Sequence, residues 1–290
     1  MRCLRLLLTI FAGAALAPAA AAQEVARGWS AAPTAAVRVF NLAGSTRITG
    51  WDRDSIAVTA TVGAGGRLYG GGSRSALKLG VEPATPGGDA PAAALEVRVP
   101  RGVTLSVKSA GADVEVRSVS GTIEISSVSG RVTVTGTARQ ISVESMIGDV
   151  MVQASAPAIR VHTAGASATV QGAVEDLRVE TVSGAIVVRP GTPRQTRLES
   201  VTGSITFDGG LAADGTLDVH THESAVRLTL PSAIAASFEL TTFDGLLVNR
   251  FGRAAARPSR GGKPLRFEVN GGGAMVSVRT LKGDVAVYRR

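Results

Sequence analysis

Apolar and polar residues alternate along most of the chain in short runs. Ile141 and Val143 flank Ser142, Ile159 and Val161 flank Arg160, and Leu177 and Val179 flank Arg178; between these runs come Val150 and Val152, Ile186 and Val188, and Ile205 and Phe207. A period of two predicts strands with one buried and one solvated face. Each run follows a small polar turn, as in SAGADVEV from Ser109, SVSGTIEI from Ser118, SVSGRVTV from Ser127, SMIGDVMV from Ser145, TAGASATV from Thr163, TVSGAIVV from Thr181 and SVTGSITF from Ser200. THESAVRL, TFDGLLV and TLKGDVAV keep the turn's place from Thr221, Thr242 and Thr280. From Gly130 the anchors fall at Gly148, Gly165, Gly184, Gly203, Ser224 and Gly245, steps of 18, 17, 19, 19, 21 and 21 residues.

A second short strand lies between anchors (ISVES, IRVHT, LRVET, RLES, LDVHT and FELTT), so each step holds two strands and two turns. This pattern predicts an all-β chain, a β-helix-like β-solenoid with coils of about 18–21 residues stacked at about 4.8 Å. The turn glycine occupies a place that a side chain would obstruct. The Ser or Thr three positions earlier has inward parity and is expected to hydrogen-bond the turn's backbone. No histidine recurs where it could activate these hydroxyls, so they are expected to be architectural and not nucleophilic.

The ends of the chain follow other rules. Residues 1–22 carry Arg2 and Arg5, an apolar stretch from Leu6 to Leu16 and the small-residue run Ala19 to Ala22, the three regions of a secretory signal peptide cleaved between Ala22 and Gln23. The apolar stretch is shorter than the roughly 20 residues of a membrane span, and no later segment is apolar enough to be one. The expected location is the periplasm, the cell surface or the medium. Cys3 is the one cysteine and lies in the leader, so the mature chain has no disulfide. Residues 23–36 are expected to be a linker and 37–108 an irregular β segment capping the first coil, with mobile loops at 63–72 and 83–91. The repeats run over 109–290 with a basic insertion at 249–266.

Without Arg2 and Arg5 the basic count falls from 31 to 29 against 23 acids, a net charge of about +6. An exported chain with that balance meets anionic lipids, lipopolysaccharide and acidic polysaccharides, which displaces nucleic acid as the expected partner.

The leader, VRVFNLAGSTRITGWDRDSIAV, the strand pair LEVRVPRGVTLSV and the repeated SVSGxIxV units together resemble the bacterial putative-adhesin family, from about Val37 to Val287. The resemblance implies an exported or envelope-facing β-solenoid with an adhesin-like role. It brings no catalytic residues and no cofactor, and neither the glycine-rich loop nor the basic insertion belongs to the family's pattern.

Two places carry candidate chemistry. Outward parity puts Glu144, His162, Glu180, Glu199 and His220 in one column on successive coils, beside Ser142, Arg160, Arg178, Arg197 and Asp218. In-register coils would bring His162 to roughly 5 Å from Glu144 and Glu180. Paired carboxylates could serve a polysaccharide-active enzyme, and Glu199, His220 and His222 form a weak candidate metal set. Alternating Arg and Glu also suit a solvated sheet face, and that account is favoured. The second place is the insertion, with Arg250, Arg253, Arg257, Arg260, Lys263 and Arg266 and no acid, suited to phosphate or sulfate groups of envelope polymers. The favoured function is a non-enzymatic, adhesin-like protein that binds or scaffolds surface polymers; the alternatives are the enzyme and a purely structural envelope component.

Overall fold

Two long ladders of strands run side by side through the structure, a computed structural model that describes residues 23–251 and 255–290, with the backbone alone over 255–260. Residues 1–22, where the leader and the cleavage site at Ala22 were expected, lie outside the described residues, and Gln23 opens the first strand. The described residues form twenty-five strands of one mixed sheet and no helix, so none is long and apolar enough to cross a membrane.

The first ladder runs, in spatial order, through Gly66–Gly72, Ala76–Pro83, Ala36–Asn41, Thr104–Ser109, Thr122–Ser127, Gln140–Ser145, the second half of Val150–Thr163, Val174–Thr181, Gln195–Ser200, Thr216–Glu223, Ala274–Lys282, the first half of Ala236–Asn249 and Leu265–Val269. Every pairing in it is parallel except the outermost one at each end. The second ladder begins with Gln23–Ser30, Ser55–Val62, Ala92–Pro100, Ala43–Trp51, Asp113–Arg117 and Val132–Thr137. It continues through the first half of Val150–Thr163, Ala168–Gly172, Ile186–Pro190, Ile205–Asp208, Val226–Leu230, Val285–Arg289, the second half of Ala236–Asn249 and Ala255–Arg260.

Parallel register stacks like on like. In the first ladder Val107, Ile125, Val143, Val161, Val179, Leu198, Val219 and Val278 are successive partners, all nearly inaccessible to solvent. In the second, Val116, Val134, Val152, Val170, Val188, Phe207, Leu228 and Val287 do the same. Burying each such side chain contributes about 1.5–3 kcal/mol. The core is the seam between these two columns.

At one corner joining the ladders sits a row of inward hydroxyls that includes Ser109, Ser127, Ser145, Thr163, Thr181 and Ser200, all buried. Their bonds to the turn are those expected: Ser109 Oγ donates to Ala112 O at 2.7 Å, Ser145 Oγ to Gly148 O at 2.6 Å and Thr163 Oγ1 to Ala166 O at 2.8 Å, while Gly203 N donates to Ser200 Oγ at 2.8 Å. The glycines answer to close stacking. A Cβ on Gly184 would lie 1.7 Å from Ala166 O, and one on Gly148 would lie 2.1 Å from Gly130 O.

Several expectations need correction. Ser118, with φ 57°, is exposed at the opposite corner, so SVSGTIEI is the other half of a coil and not a copy of SVSGRVTV. In the coil of Thr163 the tight place belongs to Ala166, since a Cβ on Gly165 would have no neighbour closer than 3.6 Å. Ser224 and Gly245 do not stack: the coil of Gly283 lies between them, with Gly283 against Ser224 O and Gly245 against Gly283 O. Residues 23–30 form a strand antiparallel to Ser55–Val62 where a linker was expected. Within the expected loop 63–72, Gly66–Gly72 pairs antiparallel with Ala76–Pro83. The basic insertion is also built, since Ala255–Arg260 and Leu265–Val269 both lie antiparallel along Ala236–Asn249.

The ladder ends share one plan. The first full coil, Ala36 to Trp51, lies inside the later strands of 76–100, and the last, Ala274 to Arg289, lies inside 236–249, so each terminal coil is tucked one place in. Antiparallel strands then cover the parallel edges, which would otherwise offer free backbone groups to another chain. Aromatics gather at these ends. Trp29 packs against Gly70, where a Cβ would come within 2.4 Å of its ring, and Phe238 stacks on Phe267 with centroids 4.5 Å apart, with Phe251 at 5.7 Å.

Candidate functional site

The outward face of the first ladder carries the expected columns in register. Glu144, His162, Glu180, Glu199 and His220 are successive backbone partners, as are Ser142, Arg160, Arg178, Arg197 and Asp218. Their side chains pair along and across strands. Arg178 and Arg197 each hydrogen-bond the carboxylate two residues on, Glu180 and Glu199. His162 Nδ1 lies 3.2 Å from Glu180 Oε2, and Arg160 lies 3.8 Å from Asp176. His162 makes its contact with Glu180 and not with Glu144.

These contacts set the electrostatics. Partial burial pushes the Glu180 carboxyl up, but the hydrogen bonds from Arg178 and His162 outweigh it and the net shift is downward. A general acid needs the opposite shift. Glu199, His220 and His222 do not converge as ligands: among the described residues no group of three or more His, Cys, Asp or Glu side chains is placed to hold a metal ion.

The column continues further than expected. Beyond His220 the next backbone partner is Arg279, from the tucked-in last coil. The Arg279 side chain is exposed and makes no hydrogen bond or ion pair among the described residues. Its signal in the sequence is the place just before the anchored Ser or Thr, shared by Glu144, His162, Glu180, Glu199 and His220. The place just after that anchor makes a second row, of exposed apolar side chains: Val128, Met146, Val182, Val201 and Leu281 are 49%, 56%, 50%, 45% and 40% accessible. Between the rows runs a shallow depression of about 560 Å³ from His162 to Arg279, and a second of about 340 Å³ continues from His162 past Glu144 and Met146 to Lys108.

The basic insertion does not assemble into one free loop. Arg250 is exposed at the end of the stack, Arg266 donates to Glu239 Oε1 at 2.7 Å, and Lys263 is exposed. The backbone register sets Arg257 opposite Leu247 and Arg260 opposite Asp244, and Arg253 lies outside the described residues. Phe207 and Phe238 are buried and Phe267 is half-buried against the core.

No family model matches the sequence, and no curated protein matches it. Among solved structures, a putative lipid binding protein from Parabacteroides distasonis is similar with a TM-score of 0.53 at 11% identity, over 92% of this chain and 96% of that one. A putative adhesin from Parabacteroides merdae is similar with a TM-score of 0.52 at 10% identity, over 91% and 96%. The resemblance to proteins named as adhesins therefore holds at the level of the fold.

Proposed function

We propose that the protein is an exported, non-enzymatic, adhesin-like β-solenoid of the bacterial cell envelope that binds or scaffolds anionic surface polymers. The solenoid reading rests on the two parallel ladders, whose partners recur once per coil. The observation that carries the function is the state of the charged face. Glu180 and Glu199 are held by arginines of their own strands, and Glu180 is shifted downward, away from what a carboxyl that protonates a leaving group needs, which supports reading the face as an ordered ionic surface. The leader supports export, and the net positive charge supports an acidic partner. The basic end of the stack, with Arg250 and its neighbours in 249–266, is the second contact region.

The test is retention of the purified mature chain on immobilised lipopolysaccharide and on an acidic polysaccharide across a salt titration. Retention that falls with salt, and a shallower salt dependence in R250Q/R253Q/R257Q, is the expected result. Failure of the parent chain to bind either polymer at low salt would refute the proposal.

A further inference from the structure

Charge order along the face reverses at one point. In the coils of Arg178 and Arg197 the cation precedes the acid it binds, whereas the next two coils read Asp218 then His220, and Ser277 then Arg279. The acids around Arg279 are largely engaged elsewhere: Glu199 by Arg197, Glu239 by Arg266 and Glu223 by Lys282, while Asp218 and Glu268 lie across the neighbouring depression that Arg279 also borders. Arg279 thus presents a guanidinium that has no ion-pair partner among the described residues, beside His220 and His222. Such a planar donor suits a phosphate or carboxylate in a two-point contact.

The other wall is apolar. Starting at His222, the same row passes Val201, Val182, Ala164 and Met146, one residue per coil, and both depressions open onto it. Four coil steps of about 4.8 Å make roughly 19 Å. An acyl chain that fills one leaflet of a bilayer, about 15 Å, fits within that length. Sugar rings fit the stretch from Val201 to Met146 less well, because its side chains are aliphatic and the exposed Phe243 of the same row lies at the far side of Leu281.

We propose that this depression holds an anionic amphiphile, its acidic head on Arg279 with His220 and His222 and its acyl chain along Val201, Val182, Ala164 and Met146. The proposal rests on the envelope-binding reading above and narrows the ligand to an acylated acid.

The experiment is calorimetric titration of the mature chain with lysophosphatidic acid below its micellar concentration, with lysophosphatidylcholine and inorganic phosphate as separate arms. Lysophosphatidic acid is expected to bind at least about tenfold more tightly than either of the others, and R279Q and V182S/V201S are each expected to weaken it by about tenfold or more. Both variants alter exposed side chains, and an unchanged thermal midpoint verifies their folding. The proposal is overturned if the parent does not bind lysophosphatidic acid, if the lysophosphatidylcholine arm binds as tightly, or if both variants bind like the parent. Retention on acyl-free acidic polysaccharide, measured in parallel and unchanged in R279Q, separates the two readings. With that retention intact and lysophosphatidic acid unbound, the scaffold stands and this site falls; the opposite pattern removes the polymer-binding reading and keeps the site.

Discussion

His162 Nδ1 and Glu180 Oε2 lie 3.2 Å apart although the residues are 18 positions apart in the chain. That spacing is one coil, and the contact follows from a parallel register in which Val161 sits on Val179 within the core while His162 sits beside Glu180 outside. The same register makes adjacent residues respond oppositely to substitution. Val179→Asp places an unpaired charge in a sealed seam and is expected to cost several kcal/mol, enough to abolish the folded state. Glu180→Ala removes a partly exposed ion pair and is expected to cost less than about 1 kcal/mol. Urea denaturation of the two variants checks this, and equal losses would contradict the assigned faces.

Close stacking at the corner predicts a contrast between two glycines nineteen positions apart. Gly184→Ala drives a methyl into Ala166 O and is expected to destabilise by more than about 2 kcal/mol. Gly165→Ala meets only ordinary contacts and is expected to be neutral or to stabilise by up to about 1 kcal/mol. Thermal midpoints of the two variants measure it.

Thr196 interrupts the inward column between Leu177 and Leu217, and its Oγ1 is buried with no partner among the described residues. Replacing a hydroxyl that makes no bond with a methyl removes a desolvation cost. Thr196→Val is expected to stabilise by about 1 kcal/mol, read as a higher denaturation midpoint at unchanged slope.

Glu115 accepts hydrogen bonds from Arg47 and Arg117, and these hold its carboxyl below the ordinary range. With the folded-state pKa below that of the unfolded chain, about 4.3, the ion pairs add stability above that value and lose it as pH falls through the folded pKa. Glu115→Gln is therefore expected to lower the thermal midpoint at neutral pH and to lessen its decline below about pH 4.3.

Period-two alternation and the spaced turn were legible in the sequence because both are local: Val179 and Glu180 declare their faces within one strand, and Ser145 and Gly148 declare the corner within four residues. The stacking order was not, since it is set by which edge each end of the chain covers. Arg279 became the neighbour of His220, 59 positions away in the chain, only because the last coil tucks inside the one before it. The basic insertion misled for a related reason. Its arginines suggest a solvated loop, whereas its backbone pairs with both halves of 236–249 and closes the stack. The charged columns were found because coil steps are regular between Gly130 and Gly203, and the continuation was missed where that regularity ends.

Binding without turnover is tested by incubating residues 23–290 with lipopolysaccharide and an acidic envelope polysaccharide at low salt, following retention and polymer length in the same samples. Salt-sensitive retention with polymer length unchanged is the predicted result. Shortened polymer that is restored to full length in Glu199→Gln would contradict it and make the charged column a catalytic face.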